Sequence, residues 1–474
     1  MRTAPLPRRR LLTLLGSAAL APGAAASAAR RPNIVLIVAD DLGYGDLGVQ
    51  GGRDVATPHL DRLASQGVRM TDFYSNHPSC APARAALLSG RYQHRFGFEN
   101  NPGVAQSTSP VVGLPRDHGG TLPERLKALG YATAAVGKWH IGFTPENLPT
   151  ARGFDRFYGF LGGAMAYTPD APSGAKDMVR GSAATPMPGH TTEAFADESV
   201  AFIEANRTRP FFLYLAFNAV HAPLQSTAAY LGRFAAVKDP RRRAYLAMLA
   251  AMDEAVGRVV RAVDDAGLAR DTLIVFTSDN GGPTWQTTSS NGPLNGVKAT
   301  VLEGGVRVPT IFRWTGRLPA GRVSPAVGTG VDLTATLLAA AGAPRTPELD
   351  GADLGPALAG RARPPERTLY WRLGPQGAIR SGRWKAVRAE DRWWLFDLSR
   401  DVGERQDLAA ARPDILSRLQ ADWTRWSSQM PPPAWGSLNR TERSAAGEVK
   451  GMIAAYVEGR PVDPRSLLYG GGPE

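Results

Sequence analysis

Cysteine is nearly absent: Cys80 is the only one in 474 residues. A disulfide within the chain is therefore excluded, as is a structural zinc site built on several thiolates. Histidine is sparse too, at 7 residues, and no cluster of cysteines and histidines for a transition metal is present. No stretch offers roughly 18 uninterrupted apolar residues, so a transmembrane segment is not expected. Acidic residues are the minority charge, 43 against 55 Lys and Arg. The basic excess is spread along the chain in short clusters such as Arg241-Arg242-Arg243, which argues against a nucleic-acid partner. A generally positive field suits an anionic substrate instead. There is no internal repeat.

What is present begins with a leader pattern over residues 1–28. Arg8-Arg9-Arg10 precedes an apolar stretch from Leu11, and Ala26-Ser27-Ala28 fits a cleavage site. This reads as a signal peptide, and the arginines before Leu11-Leu12 also fit a twin-arginine signal. An exported protein, periplasmic or secreted, is expected. After it, Asn33 to Val38 reads as a buried strand ending in Asp40-Asp41-Leu42-Gly43. Thr57, Pro58 and Gly67 bracket a helix, and Thr121, Pro123 and Gly130 repeat that grammar before a strand from Tyr131 to Val136. Apolar runs at Phe211 to Phe217 and Leu273 to Thr277 flank a long helical pattern from Arg243 to Val263. The alternation predicts an α/β fold with a large, mostly parallel sheet flanked by helices. Residues 32–363 are expected to form that unit. Residues 364–430 predict a smaller C-terminal α+β domain, with strands at Thr368 to Arg372, Gly382 to Val387 and Trp393 to Leu398 and a helix from Pro413 to Trp426. Residues 431–474, with Pro431-Pro432-Pro433 and a glycine-rich end, read as an irregular tail.

Four of the predicted strands run out into polar residues: Asp40 and Asp41, Lys138 and His140, His221, and Asp279 and Asn280. In open α/β sheets ligands bind beyond the carboxyl ends of the strands, so these endings are expected on one rim. Any one of them alone is commoner as a turn, a cap or a structural histidine. Asp40, Asp41, Asp279 and Asn280 offer only oxygen, which suits Ca2+ or Mg2+ rather than zinc. Cys80 opens a helix-like stretch in which Pro82 fits the first turn and Gly90 the stop. At a helix N-terminus the unpaired N–H groups stabilise negative charge, and Arg84 falls one turn later on the same face.

These residues resemble the type I sulfatase family of the alkaline-phosphatase-like superfamily. Cys80-x-Pro82-x-Arg84, continuing into Leu88-Ser89-Gly90-Arg91, matches the signature at which that family converts cysteine to formylglycine. Similar matches are Asp40-Asp41-Leu42-Gly43-Tyr44-Gly45-Asp46, Gly137-Lys138-Trp139-His140, His221-Ala222-Pro223, Ser278-Asp279-Asn280-Gly281 and Gly296-Val297-Lys298 with Glu303-Gly304-Gly305-Val306-Arg307. Ala83 departs from the family's usual serine. The resemblance implies hydrolysis of a sulfate ester of a carbohydrate or an aryl alcohol, with formylglycine derived from Cys80 by a formylglycine-generating enzyme. It implies Ca2+ held by Asp40, Asp41, Cys80, Asp279 and Asn280, with Asp279 as the base for attack on sulfur. Arg84, Lys138 and Lys298 would hold sulfate oxygens, His221 would protonate the leaving alcohol, and His140 would take a proton from the second hydroxyl of the nucleophile. A phosphodiesterase or phosphonate hydrolase on the same scaffold is the alternative enzyme, and a noncatalytic binder of sulfated glycans the alternative outside enzymes. Phe96 to Leu114 and Ala164 to His190 are expected to form the pocket rim, with His94 and Arg95 as candidates for substrate choice.

Overall fold

The computed structural model describes residues 31–103, 112–116, 119–364, 366–436 and 447–462, with the isolated Met1, Ala4 and Ser109. The expected leader lies almost wholly outside the described residues, as does part of the Phe96 to Leu114 stretch. The larger sheet contains β1 (Asn33–Ala39), β2 (Val68–Tyr74), β3 (Ala132–Lys138), β4 (Arg156–Phe160), β5 (Met178–Arg180), β6 (Ala183–Thr185), β7 (Phe211–Ala216), β8 (Thr272–Ser278), β9 (Thr310–Arg313) and β10 (Arg322–Thr329). Their spatial order is β10-β2-β9-β8-β1-β7-β3-β4-β5-β6. The four strands β8, β1, β7 and β3 are adjacent and parallel, so their carboxyl ends share one edge of the sheet.

Every residue of β1 is buried because both faces of the sheet are covered. Val35 and Ile37 pack with the helices Pro58–Ser65, Thr191–Ala205 and Pro240–Asp265. Ile34, Leu36 and Val38 pack on the other side with Cys80–Ser89, Leu122–Ala128 and Gly330–Ala340. This two-sided burial is what makes a parallel strand read as an unbroken apolar run. The helix Leu122–Ala128 starts after the expected Thr121, which forms a capping box with Glu124. The helix Pro58–Ser65 starts differently. Thr57 occupies the N-cap position, yet its hydroxyl bonds Gly48 N and Asp61. The amides of His59 and Leu60 donate instead to Asp253, at 3.1 and 2.8 Å, from the middle of the long helix. Such a cap contributes about 0.5–2 kcal/mol and ties two helices that are far apart in the chain.

A separate antiparallel sheet of β11 (Thr368–Leu373), β12 (Gln376–Ser381), β13 (Trp384–Ala389) and β14 (Arg392–Asp397) follows. One side packs on the helix Pro413–Ser428 through Ile379, Leu395, Leu419 and Trp423. The other packs on the loop from Val297 to Val306. The stretch expected to be irregular contains a helix, Glu448–Glu458, whose Val449, Ile453 and Val457 join that second core. Residues 164–190 supply the β5–β6 hairpin, which lengthens the large sheet at its edge. Among the described residues no helix is long and apolar enough to cross a membrane.

Candidate active site

The four strand endings meet. Asp40, Asp41, Cys80 and His221 each place a potential ligand atom within 4.8 Å of the others. Cys80 is the first residue of its helix, and its Sγ lies 3.5 Å from Asp40 Oδ1 and 3.8 Å from Asp41 Oδ1. Asp279 lies outside this group of four, with Oδ1 accepting from Asp41 N at 3.2 Å and Oδ2 from Arg84 Nε at 2.9 Å. Asn280 donates its side-chain amide to Asp41 Oδ1 at 2.7 Å. Its own Oδ1 is buried without a hydrogen-bond partner.

Three cations face the three carboxylates. Lys138 Nζ is 2.6 Å from Asp40, Lys298 Nζ 2.7 Å from Asp41, and Arg84 Nη2 2.8 Å from Asp279. Burial, the largest influence, works to raise the Asp40 and Asp41 pKa values, but the neighbouring basic groups together, Lys138 with His221 and Arg84 at Asp40 and Lys298 with His221 and Lys138 at Asp41, hold both below the usual carboxylate range. Burial works to lower the Arg84 pKa, and Asp279, followed by Tyr214 and Asp40, together raise it above its ordinary value. Burial pushes the Cys80 thiol well above its ordinary value, with Lys138 and Lys298 only partly offsetting it. As a thiol, Cys80 is a poor nucleophile, because reactivity belongs to the thiolate. Burial, followed by Lys298, lowers the His221 pKa, and burial with Lys138 and Arg84 lowers that of His140 much further. Both shifts favour the neutral ring.

The backbone is strained where it carries this chemistry. Asp41, His140 and Ala299, the last next to Lys298, all adopt left-handed φ values, of 61°, 61° and 62°. Such residues are uncommon outside glycine and are kept where the surroundings over-determine them. Gly137 precedes Lys138, and a Cβ there would lie 1.9 Å from Ala216 O, so β3 can approach β7 only with glycine at that point. A Cβ on Gly163 would come within 2.8 Å of the His140 ring, whose Nδ1 has no partner.

The strand endings expected together, Asp40, Asp41, Lys138, His140, His221, Asp279 and Asn280, lie at this edge. Two supporting residues had no signal in the sequence. Tyr167 donates to Asn218 O and His221 O, at 2.7 and 2.9 Å, and so fixes the loop that holds His221. Ser75 Oγ donates to Asp279 O at 2.5 Å. His94 is wholly buried, 5.0 Å from the Trp426 ring and bonded to Arg372 O. Arg95 pairs with Asp350.

A Cys-headed helix and a rim of carboxylates, cations and imidazoles at the ends of parallel strands suit chemistry on an anionic group. Comparison with known proteins makes this specific: the sulfatase family model matches residues 32–343, and the chain belongs to the sulfatase family. It is similar to N-acetylgalactosamine-6-sulfatase of Canis lupus familiaris, 36% identical over 80% of this chain and 75% of that one. Arylsulfatase A of Homo sapiens is also 36% identical, over 85% of this chain and 89% of that one. Among solved structures, Ps i-CgsB in complex with k-i-k-neocarrahexaose has a TM-score of 0.81 and 33% identity, covering 91% of this chain and 98% of that one. The protein is a sulfuric ester hydrolase.

Proposed function

We propose that the chain hydrolyses a sulfate ester through formylglycine at position 80 with Ca2+ bound beside it. The observation that carries this is the packing of a protonated, buried Cys80 against Asp40 and Asp41. A thiol in that place is neither a nucleophile nor a donor that Ca2+ favours. An oxygen in its place would complete a hard donor set with Asp40, Asp41, Asp279 and the unpartnered Oδ1 of Asn280.

Once converted and hydrated, position 80 supplies one hydroxyl to attack sulfur and a second to expel the sulfate, and a bound cation adds positive charge that favours the attacking oxygen. The rim does the rest. Asp40, Asp41, Asp279 and Asn280 would hold the cation, and Asp279 accepts the proton of the attacking hydroxyl. Arg84, Lys138 and Lys298 hold the sulfate oxygens and stabilise charge that grows during transfer. With neutral histidines the three carboxylates and three cations balance, so a divalent ion leaves the rim positive, as an anionic ester requires. His221 donates Nδ1–H to Ala222 O at 2.6 Å, which leaves Nε2 to take up a proton and, as the imidazolium, to deliver it to the leaving alcohol. His140 takes the proton of the second hydroxyl.

We favour a sulfated carbohydrate as substrate. Support comes from the sugar named in N-acetylgalactosamine-6-sulfatase and from the k-i-k-neocarrahexaose bound to Ps i-CgsB. Export to the periplasm or medium and conversion by a formylglycine-generating enzyme complete the reading. Mass spectrometry of the tryptic peptide from Met70 to Arg84, with turnover of aryl and carbohydrate sulfates, tests it. Formylglycine at position 80 is expected in active protein. Full turnover by protein carrying only cysteine there, or by Cys80→Ala, would sink the assignment.

A further inference from the structure

We propose that Gln376, in the C-terminal sheet, is a positioning residue for Lys298. The inference rests on the reading of Lys298 as a sulfate-holding group. Gln376 is fully buried at the start of β12, where it follows the tight turn from Leu373. Its side chain leaves the small sheet and enters the loop that carries Lys298. There Nε2 donates to Ala299 O at 3.0 Å and Oε1 accepts from Val301 N at 3.2 Å. The two partners, a carbonyl and an amide N–H, allow only one orientation of the side-chain amide.

These bonds grip the strained part of the loop. Ala299, immediately after Lys298, has a φ of 62°, a conformation that alanine leaves readily when nothing holds it. The loop has other restraints, none of which replaces this one. Lys298 N donates to Gly282 O at 3.3 Å and Ala299 N to Pro78 O at 2.8 Å, which fixes the incoming side. Thr300 Oγ1 closes the turn locally on Val297 O at 2.6 Å and moves with it. Gln376 alone among these contacts ties the outgoing side, Ala299 O and Val301 N, to a different sheet. Beyond it Lys385 of the same sheet meets the Glu303 carboxylate at 2.9 Å, and Glu404, just after that sheet, accepts from Glu303 N at 2.7 Å. The C-terminal sheet thus acts as a jig for the basic end of the active site. Without Gln376, Ala299 relaxes toward negative φ and carries Lys298 Nζ away from its position 2.7 Å from Asp41.

The test is a double-mutant cycle in the full-length, converted, calcium-loaded enzyme with 4-nitrophenyl sulfate as the probe. Gln376→Met keeps the length of the side chain and removes both hydrogen bonds. It is expected to lower kcat/KM roughly 10- to 100-fold, as small misplacements of a catalytic group do. On a Lys298→Ala background the same change is expected to cost less than about threefold, since it acts through a residue already gone. Full multiplication of the two effects, or wild-type turnover by Gln376→Met, overturns the proposal. Hydrogen–deuterium exchange over residues 295–303 reads the positioning without turnover. Faster exchange in Gln376→Met is expected, and unchanged exchange overturns the proposal. If Lys298→Ala itself retains full activity, the assignment of Lys298 fails and the exchange result alone decides the role of Gln376. Should Gln376→Met not fold, Gln376→Glu, which keeps the acceptor for Val301 N and loses the donor to Ala299 O, must show the same direction in both measurements or the proposal falls.

Discussion

Two buried charge clusters in this molecule have nearly the same composition and opposite uses. At the rim, Asp40, Asp41 and Asp279 face Lys138, Lys298 and Arg84. Under the C-terminal sheet, Asp72, Glu303 and Glu404 face Arg307, Arg380 and Lys385, with separations of 2.8 to 3.1 Å. Pairing does not distinguish them. The rim adds a helix N-terminus with Cys80, two imidazoles and an amide oxygen that nothing answers. The second cluster adds Tyr74, whose hydroxyl bonds both Glu303 and Arg380, and the face of Trp371, 5.7 Å from Lys385. A buried charge network marks a functional site when it converges on atoms left without partners, and marks a structural joint when it closes on itself.

Lysine removal should separate the two most sharply. Lys138→Met is expected to reduce kcat by about 10²–10³-fold, the cost of deleting one preorganised donor to the transition state. Lys385→Met is expected to lower stability by about 3–5 kcal/mol, because Glu303 and Glu404 are left buried without the cation between them. Urea unfolding and turnover measured on the same preparations check both. Equal loss of turnover in the two variants, at unchanged stability, would erase the distinction.

The rim was legible in the sequence for a physical reason. Strands buried on both faces leave long apolar runs, so the polar residues at their ends, Asp40, Lys138, His221 and Asp279, stand out, and parallel topology brings them together. The second cluster was not legible. Glu303 and Lys385 are 82 residues apart and meet only through packing of one sheet on a loop. The strand Gln376–Ser381, QGAIRS, has little apolar alternation, and its neighbours Gly374 and Pro375 look like an ordinary turn. The helix Glu448–Glu458 was hidden by the proline and glycine around it, although Val449, Ile453 and Val457 have helical spacing. Asp253 as a cap for a helix nearly two hundred residues earlier has no local signature at all.

Metal removal should act on one cluster only. A cation that binds the folded chain alone stabilises it by about 2.7 kcal/mol at a hundred times its Kd. Chelation is therefore expected to lower the melting temperature and abolish turnover, with both restored by Ca2+. In Asn280→Ala the calcium-induced rise in melting temperature should shrink, whereas Lys385→Met should keep it from its lower starting point. A calcium response that is lost in Lys385→Met and kept in Asn280→Ala would place the ion at the wrong cluster.

The smallest expected effect is in the pH dependence of stability. Burial raises the Glu404 carboxyl to about 7 from an ordinary 4.5, with Lys385 opposing the rise and Glu303 adding to it. Between those two values the folded chain keeps a proton that the unfolded chain has released. Stability must then fall as pH rises through that window and level off above it, with a slope from this group of at most about 1.4 kcal/mol per pH unit. Asp46 and Asp253 are also raised by burial, to about 7 and about 6, so the wild-type slope has several sources. The informative quantity is the difference between wild type and Glu404→Gln, which cancels the contributions of Asp46 and Asp253. That difference should change between pH 4.5 and about 7 and be constant above it, whatever fixed offset the amide introduces beside Lys385. A flat difference would mean that Glu404 stays ionised across the window. The second cluster would then hold its charge as firmly as Asp40 and Asp41 hold theirs.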